Sequence, residues 1–312
     1  MAIVDNNNLF GALEFCEHMS NKGIQPIVGC NLSVIDGKHN GFLPLLVSTR
    51  EGYKNLIRLS SETYINDHGN EVVSLERVFE LSSGLICLSG GDGGIINNLL
   101  VENQKKEADE IISKIKLTFL DRFYIELQRT GLSNVESDLL ESAYKQDIPL
   151  VATNPAYFNT KEEHAAHDAL LCINQSTTVD APDRFRLTSE FYFKTPDEMI
   201  DLFSDIPEAI ENTIEIALRC SYKVATSEPK LPRFSGLDLV GEASEFKNQA
   251  EKGLEERLRI NPVNNPSSYW ERLESEISII TEMEFPGYFL IVADFIKWSK
   301  NNNIPVGPGR GS

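Results

Sequence analysis

The chain has no Cys-x-x-Cys pair, no apolar run near the roughly 20 residues a membrane span needs, and no basic, cleavable leader at its start. These gaps exclude a zinc ribbon, a disulfide framework and a helical membrane protein, and they leave the cytoplasm as the expected location with no membrane partner. The five cysteines, Cys16, Cys30, Cys87, Cys172 and Cys220, stand singly in apolar settings and read as buried, reduced thiols. Positive charge is also scarce. Lys and Arg total 29 against 47 Asp and Glu, for a net charge of −18, so the chain as a whole repels a phosphate backbone. There is no internal repeat and no low-complexity tract.

What is present is a length of 312 residues, 41% of them hydrophobic, enough for one large domain and part of another. Short apolar runs at 2–4, 26–29, 43–47, 85–88, 123–127 and 149–153 alternate with segments of helical period such as 52–63 and 107–117. The runs are nearly continuous in apolar residues, as buried parallel strands are, and predict a β/α barrel or an open α/β sheet. From residue 205 the pattern turns helical. Asp205 is expected to cap a helix with Pro207 in its first turn and Glu208 at the capping-box position. The Pro-punctuated stretch 227–234 reads as a linker, and helices are expected at 242–258, 269–283 and 288–301.

Few residues announce chemistry. His164 and His167 at i, i+3 are the one metal-like spacing, but no other histidine is placed at a strand end to join them, so a solvent-exposed or helix-packing role is expected. Asp5 and Glu126 fit a site, a cap or an ion pair equally. The terminal string Gly307-Pro308-Gly309-Arg310-Gly311-Ser312 offers backbone donors, a guanidinium fork and a hydroxyl to an anion. It matches neither the Walker pattern nor the dinucleotide fingerprint, and alone it reads more readily as a flexible glycine loop than as a phosphate cradle.

Several strings in order carry a resemblance. Asp5-Asn6-Asn7-Asn8-Leu9-Phe10-Gly11, Gly23-Ile24-Gln25-Pro26-Ile27-Val28-Gly29-Cys30, Gly52-Tyr53-Lys54-Asn55-Leu56, Gly84-Leu85-Ile86-Cys87-Leu88-Ser89-Gly90 and Leu150-Val151-Ala152-Thr153-Asn154 resemble the polymerase-and-histidinol-phosphatase (PHP) domain of bacterial C-family replicative polymerases, the DNA polymerase III alpha subunits. Phe285-Pro286-Gly287-Tyr288-Phe289-Leu290-Ile291-Val292 and the 305–312 string resemble the start of the palm of the same family.

The resemblance implies a distorted β/α barrel over 1–228 that lacks the family's first His-x-His strand and helix, then a mostly helical, incomplete palm over 229–312. It makes Met1 a fragment boundary or misassigned start, and places the catalytic aspartates in an Asp-x-Asp string beyond Ser312. The full-length enzyme would add deoxynucleoside triphosphates to primer-template DNA with Mg2+, beside a proofreading exonuclease and other replicase subunits, with Gly309, Arg310, Gly311 and Ser312 contacting the nucleotide. This chain alone is expected to be inactive and to need no cofactor.

The family's metal positions have drifted. Asn6 follows Asp5 where a histidine belongs, Asn31 stands for a glutamate, Phe42 for a histidine and Gly91 for a cysteine. No imidazole lies near Arg129, and past Asn154 the late Asp-x-His string has become Pro155-Ala156-Tyr157. Amide, aromatic and proline side chains do not replace carboxylate and imidazole donors. A metal-free barrel that is structural, or that docks the exonuclease subunit, is therefore expected. A metal-dependent phosphoesterase or exonuclease is the alternative.

Overall fold

A computed structural model of the chain describes residues 1–65, 71–227, 231–307 and 309. The chain divides into two compact units, Met1–Thr226 and Ser227–Ser312.

The first unit opens with β1 (Ala2–Asn6), α1 (Ala12–Asn21), the long hairpin β2 (Ile27–Asp36) and β3 (His39–Val47), and α2 (Arg50–Glu62). Next come β4 (Val73–Ser74), α3 (Leu75–Glu80), β5 (Leu85–Leu88), α4 (Ile95–Val101), α5 (Lys105–Phe119), β6 (Phe123–Leu127), α6 (Glu136–Gln146) and β7 (Leu150–Ala152). The helices α7 (His164–Asn174), α8 (Pro196–Leu202) and α9 (Pro207–Arg219) complete it.

The strands form one sheet in the order β1-β2-β3-β5-β6-β7, with β4 beside β2, curled into an open half-barrel. β3 runs antiparallel to both neighbours. The apolar run at 43–47 thus belongs to a hairpin arm and not to a parallel strand. Burial on both faces gives either kind the same composition, so the run itself carries no direction.

Strand periodicity of two sorts the residues. Val28, Cys30, Leu32, Leu43, Leu45, Leu85, Cys87, Phe123 and Ile125 pack under the outer helices. Ile27, Leu46, Ile86, Leu88, Tyr124 and Val151 form a second cluster on the other face, covered by Ile216 and Cys220 at the end of α9. All five cysteines are buried and free. Burial pushes the Cys30 and Cys220 thiols up to about 12, which keeps them protonated and unreactive.

Asp205 does not cap α9. Ile206 holds the N-cap position without a side-chain bond, because both Asp205 oxygens accept from Arg129 at 2.7 and 2.8 Å, while the same guanidinium forks onto Glu136 at 2.6 and 3.0 Å. A partner 76 residues away outcompetes the local cap. The capping box lies instead at Thr195 and Glu198, at the start of α8.

In the second unit, α10 (Leu239–Ile260) packs against α11 (Pro266–Glu282) and α12 (Pro286–Asn301). Asp238 caps α10 by accepting from the Gly241 N–H at 2.8 Å. The buried Glu242 carboxylate accepts from the Phe234 N–H at 2.7 Å and from Arg233 at 3.0 Å, and it lies against Gly287, where a Cβ would come within 2.7 Å of it. One acidic side chain thereby ties the entry segment to the first turns of two helices. Tyr269, Tyr288, Phe295 and Trp298 are exposed on this unit.

Candidate degenerate metal rim

Period-two alternation carries the apolar inner cluster of the half-barrel into a polar rim. Asn31 lies two and four residues beyond Gly29 and Ile27, Asn6 lies two beyond Val4, Glu126 two beyond Tyr124, and Thr153 two beyond Val151. On antiparallel β3 the same rule places Phe42 two before Pro44. Asn6 and Asn31 are register partners on β1 and β2, and the Asn31 amide donates to Asn6 Oδ1 at 2.9 Å. Two amides therefore bond to each other where the resemblance marks metal ligands. Asn31 Oδ1 is buried without a hydrogen-bond partner.

The other marked positions do not join them as ligands. Asp5 alternates to the opposite side of β1 and is exposed. The N–H of Phe42 donates to Gly93 O at 3.0 Å, and its side chain has no donor atom to offer. A Cβ on Gly91 would stand 1.9 Å from the Gln128 carboxamide, so a cysteine there requires Gln128 to move. Arg129 is consumed by Glu136 and Asp205. Asn154 donates to Tyr192 O at 2.7 Å, and Tyr157 is 54% exposed, its ring tilted against His167 and Phe191. Met1 to Asn6, Asn154 and Tyr157 line one cleft of about 430 Å3.

His164 opens α7 and its Nε2 lies 2.9 Å from Leu187 O, while both histidine rings pack on Phe158. His39 does begin a strand, contrary to expectation, but at the β2–β3 turn, paired with Asp36. Among the described residues, no three His, Cys, Asp or Glu side chains gather into a group that could hold a metal.

Glu126 is the functional-looking residue that sequence reasoning left undecided, and it is neither a cap nor an ion pair. It is 4% exposed, its Oε1 accepts from Thr153 Oγ1 and Gln128 Nε2 at 2.5 and 3.0 Å, and its Oε2 has no hydrogen-bond partner. A glutamate inside the apolar run Phe-Tyr-Ile-Glu-Leu was the available signal. Burial raises its pKa, with the Thr153 and Gln128 donors opposing. A carboxyl with a raised folded pKa stabilises the fold fully below the unfolded value, and that stability is lost as pH rises through the folded value. Glu126→Gln should therefore gain in melting temperature relative to the parent as pH rises from about 4 to 8. A difference constant across that range would contradict the burial assignment.

The PHP domain model matches residues 1–130, and the bacterial DNA polymerase III alpha NTPase domain model matches residues 244–312. DNA polymerase III subunit alpha of Caulobacter vibrioides is 44% identical over 325 residues, covering 99% of this chain. The chain is thus similar over nearly its whole length to DNA polymerase III alpha subunits. The subunits of Pseudomonas aeruginosa and Escherichia coli K12 are each 39% identical over 100% of the chain. The chain spans 28% of the length of each of these three relatives.

The rim residues do not fit a bound divalent ion, because the Asn6–Asn31 amide pair, Phe42 and Gly91 bring no carboxylate or imidazole to it. The loop residues Arg310, Gly311 and Ser312 lie outside the described residues, and Gly309 is exposed. No helix among the described residues is long and apolar enough to cross a membrane.

Proposed function

We propose that this chain serves the catalytic alpha subunit of the bacterial replicase, which extends primer-template DNA in the cytoplasm by Mg2+-dependent transfer from deoxynucleoside triphosphates. Residues 1–228 act as a PHP-like domain and 229–312 as the amino-terminal part of the palm, with Gly309 to Ser312 at the incoming nucleotide. The observation that carries this reading is that matches to both domain models occur, in order, in one chain 39–44% identical to alpha subunits over nearly its whole length.

The half-barrel acts as a metal-free scaffold that receives the proofreading exonuclease subunit. Its support is the rim itself, where the Asn6–Asn31 amide pair, Phe42 and the Gly91–Gln128 contact leave no carboxylate–imidazole set for a phosphoesterase. Co-purification of the tagged complete alpha subunit with its exonuclease partner tests the docking role. The expected result is a stoichiometric complex that is lost when the half-barrel is deleted and kept when Asn6 and Asn31 are replaced by alanine. A complex that survives deletion of the half-barrel would overturn it.

A further inference from the structure

A buried cation lies beside the rim, in the segment before α8. After β7 the chain leaves the sheet through Thr153-Asn154-Pro155-Ala156-Tyr157, a turn outside any helix or strand. It is fastened to the segment before α8. The Tyr157 N–H donates to Phe191 O and the Phe193 N–H to Phe158 O, both at 2.9 Å, and the Asn154 amide donates to Tyr192 O at 2.7 Å. Lys194 ends that segment with its side chain only 3% exposed. Its Nζ donates to Asn154 Oδ1 at 3.1 Å and to the Glu190 carbonyl, lies 3.5 Å from the Glu190 carboxylate, and stands 4.3 Å from the centre of the Tyr192 ring.

Burying an ammonium is costly, and a lysine on a surface segment normally keeps its head in water. Here two carbonyl-type oxygens, a carboxylate and an aromatic face converge on it, the set of partners that offsets such a cost. Asn154, one of the positions that the family resemblance marks at the metal site, is satisfied at both ends of its amide, by Lys194 at the oxygen and by Tyr192 O at the nitrogen.

We infer that the Lys194 ammonium clamps the turn after β7 through Asn154, beside a rim that holds no divalent ion. The inference rests on the metal-free reading of the rim and assigns Lys194 a positioning role. Removing the charge while keeping the length of the side chain leaves Asn154 Oδ1 and Glu190 O without their donor, and the turn loosens locally.

Hydrogen exchange resolved by mass spectrometry on the whole chain tests this, comparing the parent with Lys194→Met, Glu190→Gln and the control Lys114→Met, whose partner is Asp36 on β2. Lys194→Met should speed exchange at the Tyr157 and Phe193 amides by about tenfold or more, with β5 and β6 unchanged. Glu190→Gln, which keeps the Asn154 bond and removes the carboxylate that Lys194 shares with Lys161, 2.8 Å from it, should give a smaller acceleration at the same amides, and the control none. Unchanged exchange in Lys194→Met overturns the clamp. If Lys194→Met does not fold, unchanged exchange in Glu190→Gln overturns it instead. Metal content measured on the same samples separates the two readings: a metal-free parent with an unresponsive turn removes the clamp alone, whereas a metal-loaded parent removes the reading beneath it.

Discussion

Arg310→Ala in the complete alpha subunit is expected to lower kcat/KM for nucleotide incorporation by about 30- to 1000-fold, with the melting temperature unchanged. An oxygen of the transferring triphosphate gains charge in the transition state. A guanidinium aimed at it is worth on the order of 2–4 kcal/mol there and less in the ground state. In the proposed nucleotide role, Gly309 and Gly311 would let backbone N–H groups approach the same phosphates without a Cβ in the way, and Ser312 would add a hydroxyl. Ser312→Ala should therefore fall in the same direction by a smaller factor, because a neutral donor gives up less than a charged one. Steady-state incorporation kinetics with thermal melts as the control measure both. Kinetics near the parent's in both variants would reduce the loop to a structural turn.

Gly52→Ala is expected to destabilise the first unit by on the order of 3 kcal/mol, a fall in melting temperature of about 6–12 °C. Helix propensity alone predicts the opposite sign, since Gly52 lies in α2 and alanine is favoured there by about 1 kcal/mol. Sterics decide the outcome. A Cβ on Gly52 would lie 1.9 Å from Gly84 O. That oxygen cannot retreat freely, because it accepts from the Ser48 N–H at 3.0 Å, the Ser48 hydroxyl at 2.8 Å and the Thr49 N–H at 3.3 Å. Gly84 itself sits at φ +70°, a conformation that favours glycine. The α2–β5 junction is thus built on backbone touching backbone. A melting temperature at or above the parent's would show that the junction yields, and that propensity dominates.

Much of the fold was legible because the strands are buried on both faces. The runs 85–88 and 123–127 coincide with β5 and β6, and the helices expected at 242–258, 269–283 and 288–301 fall within three residues of α10, α11 and α12 at each end. What was not legible depends on partners distant in sequence. Nothing near Asp205 reports that Arg129 will take both of its oxygens, and nothing in residues 43–47 reports the direction of β3. The hairpin is longer than its apolar core suggests, because Ser33 and Asn40 extend the ladder in residues that look like loop.

At the rim, the resemblance marked Asn6, Asn31, Phe42 and Gly91, but only the fold pairs the first two and sets Gly91 against Gln128. Lys194 carried no sequence signal at all. In Phe-Tyr-Phe-Lys-Thr-Pro it reads as a solvated residue before a helix, and its burial follows from a turn 40 residues earlier.

The metal-free rim is the claim on which the scaffold role and the Lys194 clamp both depend, and elemental analysis of the purified chain tests it most directly. After exposure to zinc, manganese and iron followed by desalting, the chain is predicted to retain no stoichiometric divalent metal, because paired amides, a phenylalanine and a glycine offer too few anionic or imidazole donors. A molar equivalent of metal per chain, removed by a chelator with a matching fall in melting temperature, would contradict the account.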